Sequence, residues 1–184
     1  MQKTPLIALV LFAACGDDPV NYSAPVGIEL KAKSGDVAND AITEDKGITT
    51  ESSNPYGAFV TEAKNRIGHD PSNIVLDTLT LTLGGQSTGV TVLEQVVTGD
   101  VVVKFLTNDT NNTFVVGHFA SPTGPGPVDG DESFDMAADV GDQDIAKILG
   151  GSFHVVISAT PATDFATKGA EASLELKFTF SAFE

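Results

Sequence analysis

The densest set of hard oxygen ligands in the chain lies between residues 129 and 144. Asp129 and Asp131 flank Gly130, Glu132 follows, and Asp139, Asp142 and Asp144 come a few positions later. Ca²⁺ is held by several carboxylate and carbonyl oxygens, so these loops suit a Ca²⁺-dependent or small-ligand binding module. The spacing departs from an EF-hand loop, which requires a glycine at its sharp turn and a closing bidentate glutamate. Acidic turns and helix caps draw on the same residue type, and Asp142 stands where a helix is predicted to start. The three histidines are His69, in a predicted turn, and His118 and His154, on separate predicted strands. No two have metal-ligand spacing, and a zinc site would need His118 and His154 to meet across a sandwich face. The His69-Asp70 pair precedes Pro71 and reads as a helix-exit turn. Nucleophile signatures of the Gly-x-Ser-x-Gly, Ser-x-x-Lys and His-Glu-x-x-His kinds are absent. The glycine-rich stretches at 84–89 and 124–130 lack a phosphate-loop lysine, and Pro125 and Pro127 have no N–H to offer. Asn108-Asp-Thr and Asn111-Asn-Thr match a glycosylation pattern, but turn chemistry accounts for them. The expectation is a protein that is not an enzyme and needs no cofactor, with Ca²⁺ as the alternative.

Charge narrows the partners. The chain of 184 residues has 25 Asp and Glu against 10 Lys and Arg, a net charge of −15. Nucleic acid demands a basic footprint, so it is excluded as a partner. Adhesion to anionic lipid by charge is excluded on the same ground. With no tryptophan and two tyrosines, platforms for stacking sugars or bases are scarce.

Cys15 is the only cysteine, so disulfides and thiolate metal sites are ruled out. It ends a distinctive leader. A charged start with Lys3 precedes the apolar run 6–12, and the small residues Ala13 and Ala14 stand directly before Cys15. This is the order of a secretory signal, and the run is too short to span a bilayer. The tetrapeptide Phe12-Ala13-Ala14-Cys15 resembles the lipobox of bacterial lipoproteins, with Phe12 where that family usually has leucine. The resemblance covers the leader alone. It implies cleavage between Ala14 and Cys15, and a diacylglycerol thioether on Cys15, usually with a third, amide-linked chain. Two or three acyl chains anchor stably where one does not. Gly16, rather than aspartate, follows the cysteine, and in such lipoproteins this favours the outer over the inner membrane. The expected layout is a signal peptide at 1–14, an acylated Cys15 with a tether over 15–25, and a single domain over 26–184. The expected function is that of an envelope protein with a structural or protein-interaction role, attached through its acyl chains.

The body of the chain must position whatever residues act. Alternation predicts strands at 26–33, 73–83, 100–106, 113–120, 132–137, from 153, and at 172–183. In the last, Leu174, Leu176, Phe178 and Phe180 share one face, while Glu175, Lys177 and Thr179 share the other. The first and last strands are candidates to pair. Residues 34–53 are polar and read as a surface excursion, with a strand fragment at 41–43 or 48–50. One long helix spans 54–67: Asn54 caps it, Pro55 suits its first position, and Gly68 suits its exit. Its stripe is Tyr56, Phe59, Val60, Ala63 and Ile67. Thr91 to Glu94 fits a capping box and predicts a short helix through Val97. Residues 142–149 form another short helix, capped by Asp142. About seven strands with one longer helix and one or two short ones make a mainly β antiparallel sandwich. An immunoglobulin-like order is one form of it and an open barrel the alternative.

Overall fold

The computed structural model describes residues 20–49 and 54–184. Two antiparallel sheets face one another. In chain order the strands are β1 (Asn21–Lys33), β2 (Ile42–Ile48), β3 (Asn73–Leu83), β4 (Val97–Thr107), β5 (Thr113–Phe119), β6 (Val128–Asp129), β7 (Asp131–Glu132), β8 (Phe153–Pro161) and β9 (Glu171–Phe183). One sheet runs β1-β9-β3-β6 and the other β2-β8-β4-β5-β7. The helices are α1 (Pro55–Ile67), α2 (Met136–Asp139) and α3 (Asp142–Leu149). The expected β-sandwich is present, with seven long strands and the two-residue β6 and β7 among the described residues. Its strand order is not the immunoglobulin one, in which the first strand neighbours the second and the last neighbours the one before it. Here the first strand pairs along its whole length with the last, from Asn21 opposite Phe183 to Lys33 opposite Glu171.

Alternation explains the core. Leu174, Leu176, Phe178, Phe180 and Ala182 of β9 are buried, as are Val26, Ile28, Leu30 and Ala32 of β1. From the other sheet come Val101, Val103, Phe105, Phe153, Val155 and Ile157. Each large side chain removed from water contributes roughly 1.5–3 kcal/mol, and no covalent crosslink shares that task. At one end α1 closes the sandwich. Asn54 Oδ1 accepts from Tyr56 N at 3.0 Å, Gly68 exits with φ 90°, and its N–H reaches Lys64 O at 2.8 Å. The stripe of Tyr56, Phe59, Val60 and Ala63 is buried.

The registers define two poles. The start of β1, β3 and β8, the end of β2, β4 and β9, and the β4–β5 turn share one end with all three helices. The other end carries the loops 34–41, 84–96, 120–127 and 162–170.

Several expectations need correction. Residues 21–25, assigned to the tether, are the first part of β1. Tyr22 stacks on Phe59 at 5.8 Å and Arg66 sits over its ring at 4.7 Å, which ties this segment to α1. The polar stretch 34–53 holds a whole strand, β2, paired with β8 from Ile42 opposite Ala159 to Ile48 opposite Phe153. Its pairing partner supplies the stability that its composition does not. The predicted helix from Thr91 shrinks to one helical turn at Leu93–Gln95, and Gln95 Oε1 accepts from Thr91 N at 2.9 Å. The β-branched Val96 and Val97 are buried, and β4 begins there, three residues early. The strand predicted at 132–137 ends at Glu132. Asp135 caps α2 instead, accepting from Ala137 N at 3.1 Å and Ala138 N at 3.3 Å, while Asp139 Oδ2 accepts from Asp135 N at 2.8 Å. For α3 the bounds hold, but Gly141 occupies the cap and Asp142 is the first helical residue.

Candidate functional site

The acidic residues at 129–144 take separate roles. Asp129 is exposed on β6, opposite Thr80. Asp131 on β7 lies 3.3 Å from His118 Nε2. Asp139 is engaged at the start of α2, and Asp142 is exposed. Asp144 alone is buried, 1 % exposed, on the inner side of α3. Thr110 Oγ1 donates to its Oδ1 and Asn112 Nδ2 to its Oδ2, both at 2.6 Å. Thr107 Oγ1 stands 2.8 Å from Thr110 Oγ1, and Lys147 Nζ donates to the Asn108 carbonyl and, at 3.1 Å, to Asp109 Oδ2. The hydrogen bonds from Asn112 and then Thr110 hold the Asp144 carboxyl below its ordinary pKa, against the opposing effect of burial. Together they clamp the β4–β5 turn onto α3. Among the described residues, no three His, Cys, Asp or Glu side chains gather closely enough to hold a metal ion.

The histidines also stay apart. His69 Nδ1 lies 2.8 Å from the Asp70 carbonyl in the turn after α1. His118 and His154 share the five-stranded sheet rather than facing one another across the sandwich. They flank β4, opposite Val102 and Leu106 respectively. The Nδ1 of His154 bonds Asp45 Oδ2 on the adjacent edge strand β2. Each imidazole thus links an inner strand to its outer neighbour. Among the described residues neither contacts a serine or threonine hydroxyl that it could activate.

A different feature emerges at the corner where β1 and β2 run side by side. A cleft of about 470 Å³ opens there, lined among others by Gly27, Leu30, Glu44, Lys46, Ile48 and Asn54. Glu44 is half-buried, in phase with the buried Ile42 and Ile48. Burial first, then the charges of Asp36 and Asp45, raise its carboxyl above the ordinary value, while Lys33 opposes them more weakly. Sequence reasoning passed over Glu44 because residues 34–53 read as surface loop. The available signal was the alternation of Ile42, Glu44, Lys46 and Ile48.

Ala14 and Cys15, the expected cleavage and acylation residues, lie outside the described residues. No helix among the described residues is long and apolar enough to cross a membrane. Comparison with protein-family models, curated proteins and solved structures finds no match.

Proposed function

We propose that the protein is a lipid-anchored envelope component: a β-sandwich held at a membrane through acyl chains on Cys15, with a structural or protein-interaction role and no catalysis. The observation that carries this reading is the leader, an apolar run over 6–12 with Ala13 and Ala14 directly before the single cysteine, Cys15; the placement of the first strand says how such an anchor would hold the domain. β1 starts at Asn21, so residues 16–20 alone connect it to Cys15, a reach of at most roughly 20 Å. An anchor at Cys15 would therefore hold the helical pole close to the lipid surface and turn the loop pole outward. The acidic surface gives no electrostatic attraction to anionic lipid, which leaves attachment to the acyl chains. The residue after the cysteine, Gly16, favours the outer membrane in lipoproteins with this leader.

The test is fractionation of envelopes carrying the wild type or Cys15→Ser. The wild type is expected in the membrane pellet, with extraction by detergent and metabolic labelling by palmitate. Cys15→Ser is expected to lose the label and leave the mature-membrane fraction. Retention of the unlabelled variant in the membrane at wild-type level would refute acyl anchoring.

A further inference from the structure

The outer face of the five-stranded sheet sets one cation among aliphatic side chains. On β4 the buried Val101, Val103 and Phe105 alternate with Val102, Lys104 and Leu106, which therefore turn outward. The registers place Val156 of β8 and Val115 of β5 opposite Lys104, one on either side. Lys104 is thus framed along its own strand by Val102 and Leu106 and across the sheet by two valines. Val115 is 53 % exposed, so the frame is open to solvent. The lysine and arginine ion pairs among the described residues engage Lys33, Lys64, Arg66 and Lys147. Lys31, Lys46, Lys168 and Lys177 also stand outside those pairs, but each is exposed, whereas Lys104 is half-buried in its frame. The carboxylates of Asp45 on β2 and Asp131 on β7 are each two strands away and are turned to histidines, His154 and His118.

An ion pair left in water contributes little. One closed off from water by neutral neighbours can dominate an interface. The aliphatic frame would provide that closure around Lys104. A neutral apolar surface docking here would strip water from the ammonium and give nothing in return, which is costly. A second copy of this face would bring another Lys104 in place of a carboxylate, and would add a net charge of −15 to the −15 already present. The same net charge opposes partners with many acids, which leaves one carboxylate within an otherwise neutral surface.

We propose that this face docks a segment of another protein that presents one aspartate or glutamate between apolar side chains, with its carboxylate on Lys104 and its apolar groups on the frame. This rests on the reading of the domain as an interaction module and gives its partner a chemistry.

The probe is a fluorescent nine-residue peptide in which valine and threonine alternate and the central valine is replaced by glutamate. Its counterparts carry glutamine or lysine at the centre. Binding to the full chain in nonionic detergent micelles is read by anisotropy. The glutamate peptide is expected to bind, the glutamine peptide about tenfold more weakly, and the lysine peptide not at all. Lys104→Met, which keeps the aliphatic stem, should weaken the glutamate peptide about tenfold and leave the glutamine peptide no weaker. Lys104→Glu should transfer the preference to the lysine peptide. Val115→Thr should weaken the glutamate and glutamine peptides by the same factor. Equal binding of the glutamate and lysine peptides, no binding of any peptide, or an unchanged affinity in Lys104→Met would overturn the proposal. So would sedimentation of the protein alone as a dimer that Val115→Lys dissolves, which would assign the face to a second copy. Palmitate labelling and membrane retention of Lys104→Met, measured in the same preparations, keep this outcome separate from that of the anchor.

Discussion

Tyr56 places a phenol at the centre of the aromatic cluster beneath α1, and its hydroxyl makes a sharp prediction. The side chain is 1 % exposed. Its ring meets Phe153 edge-on at 5.1 Å, Phe180 edge-on at 5.6 Å and Phe59 at 6.0 Å. The hydroxyl oxygen is buried and has no hydrogen-bonding partner among the described protein groups. Leaving a buried hydroxyl unpaired costs about 1–3 kcal/mol. Tyr56→Phe removes that cost and keeps the ring contacts. It also leaves a small gap where the oxygen packed, which forfeits some dispersion contact. The balance favours stabilisation by about 1 kcal/mol, near the lower limit of the hydroxyl's cost. For a domain of this size the melting temperature should rise by roughly 2–4 °C. Tyr56→Ala, which removes the ring as well, should cost about 3–5 kcal/mol. Burial also pushes the phenol pKa well above its ordinary value. Above about pH 10 the unfolded chain releases this proton while the folded chain keeps it. Wild-type stability should then fall with rising pH, by up to about 1.4 kcal/mol per pH unit from this group. Tyr56→Phe should lack that component, so its advantage should widen as pH rises past this point. Urea unfolding followed by far-ultraviolet circular dichroism at neutral and alkaline pH measures both effects. A destabilised Tyr56→Phe with an unchanged denaturant slope would refute the reasoning, because it would mean that the hydroxyl has a partner in the folded protein.

Two further predictions concern the helical pole. The carboxyl of Asp144 is held below its ordinary pKa by Asn112 and Thr110, so its contribution is complete above the unfolded carboxylate pKa of about 4 and is lost as pH falls through the lower folded value. Asp144→Asn should therefore lower the urea midpoint at neutral pH and flatten the acid limb of the stability profile; an acid limb identical to wild type would show that Asp144 is not the titrating group. Asn54 accepts from Tyr56 N at 3.0 Å, and Asn54→Ala should cost about 1 kcal/mol, with faster amide exchange in the first turn of α1.

Where structure follows from neighbours along the chain, the residues foretold it. The alternation of β9 needs no partner to be read, since only one registry puts Leu174, Leu176, Phe178 and Phe180 in the core. The bounds of α1 follow from local chemistry at each end, Asn54 and Pro55 at the start and left-handed Gly68 at the exit. Pairing of the first and last strands was foreseeable as two ends of one domain. The misread segments depend on distant contacts. β2 is polar by composition and becomes a strand because β8 lies beside it. The turn from Thr91 yields to β4 because Val96 and Val97 find burial in the core. The candidate site divides in the same way. The chain around 129–144 displayed a row of similar acids, and nothing local marked Asp144 as the one to be buried. The helix α3 directs Asp144 towards Thr110 and Asn112, which are more than thirty positions away. Glu44 became notable only when two sheets brought the edges of β1 and β2 together around it. Composition, charge and the single cysteine of the leader are properties of the chain itself. Burial of one carboxylate, partial burial of another and the scattering of the histidines are properties of the packing, since desolvation and hydrogen bonding depend on which groups the fold sets side by side.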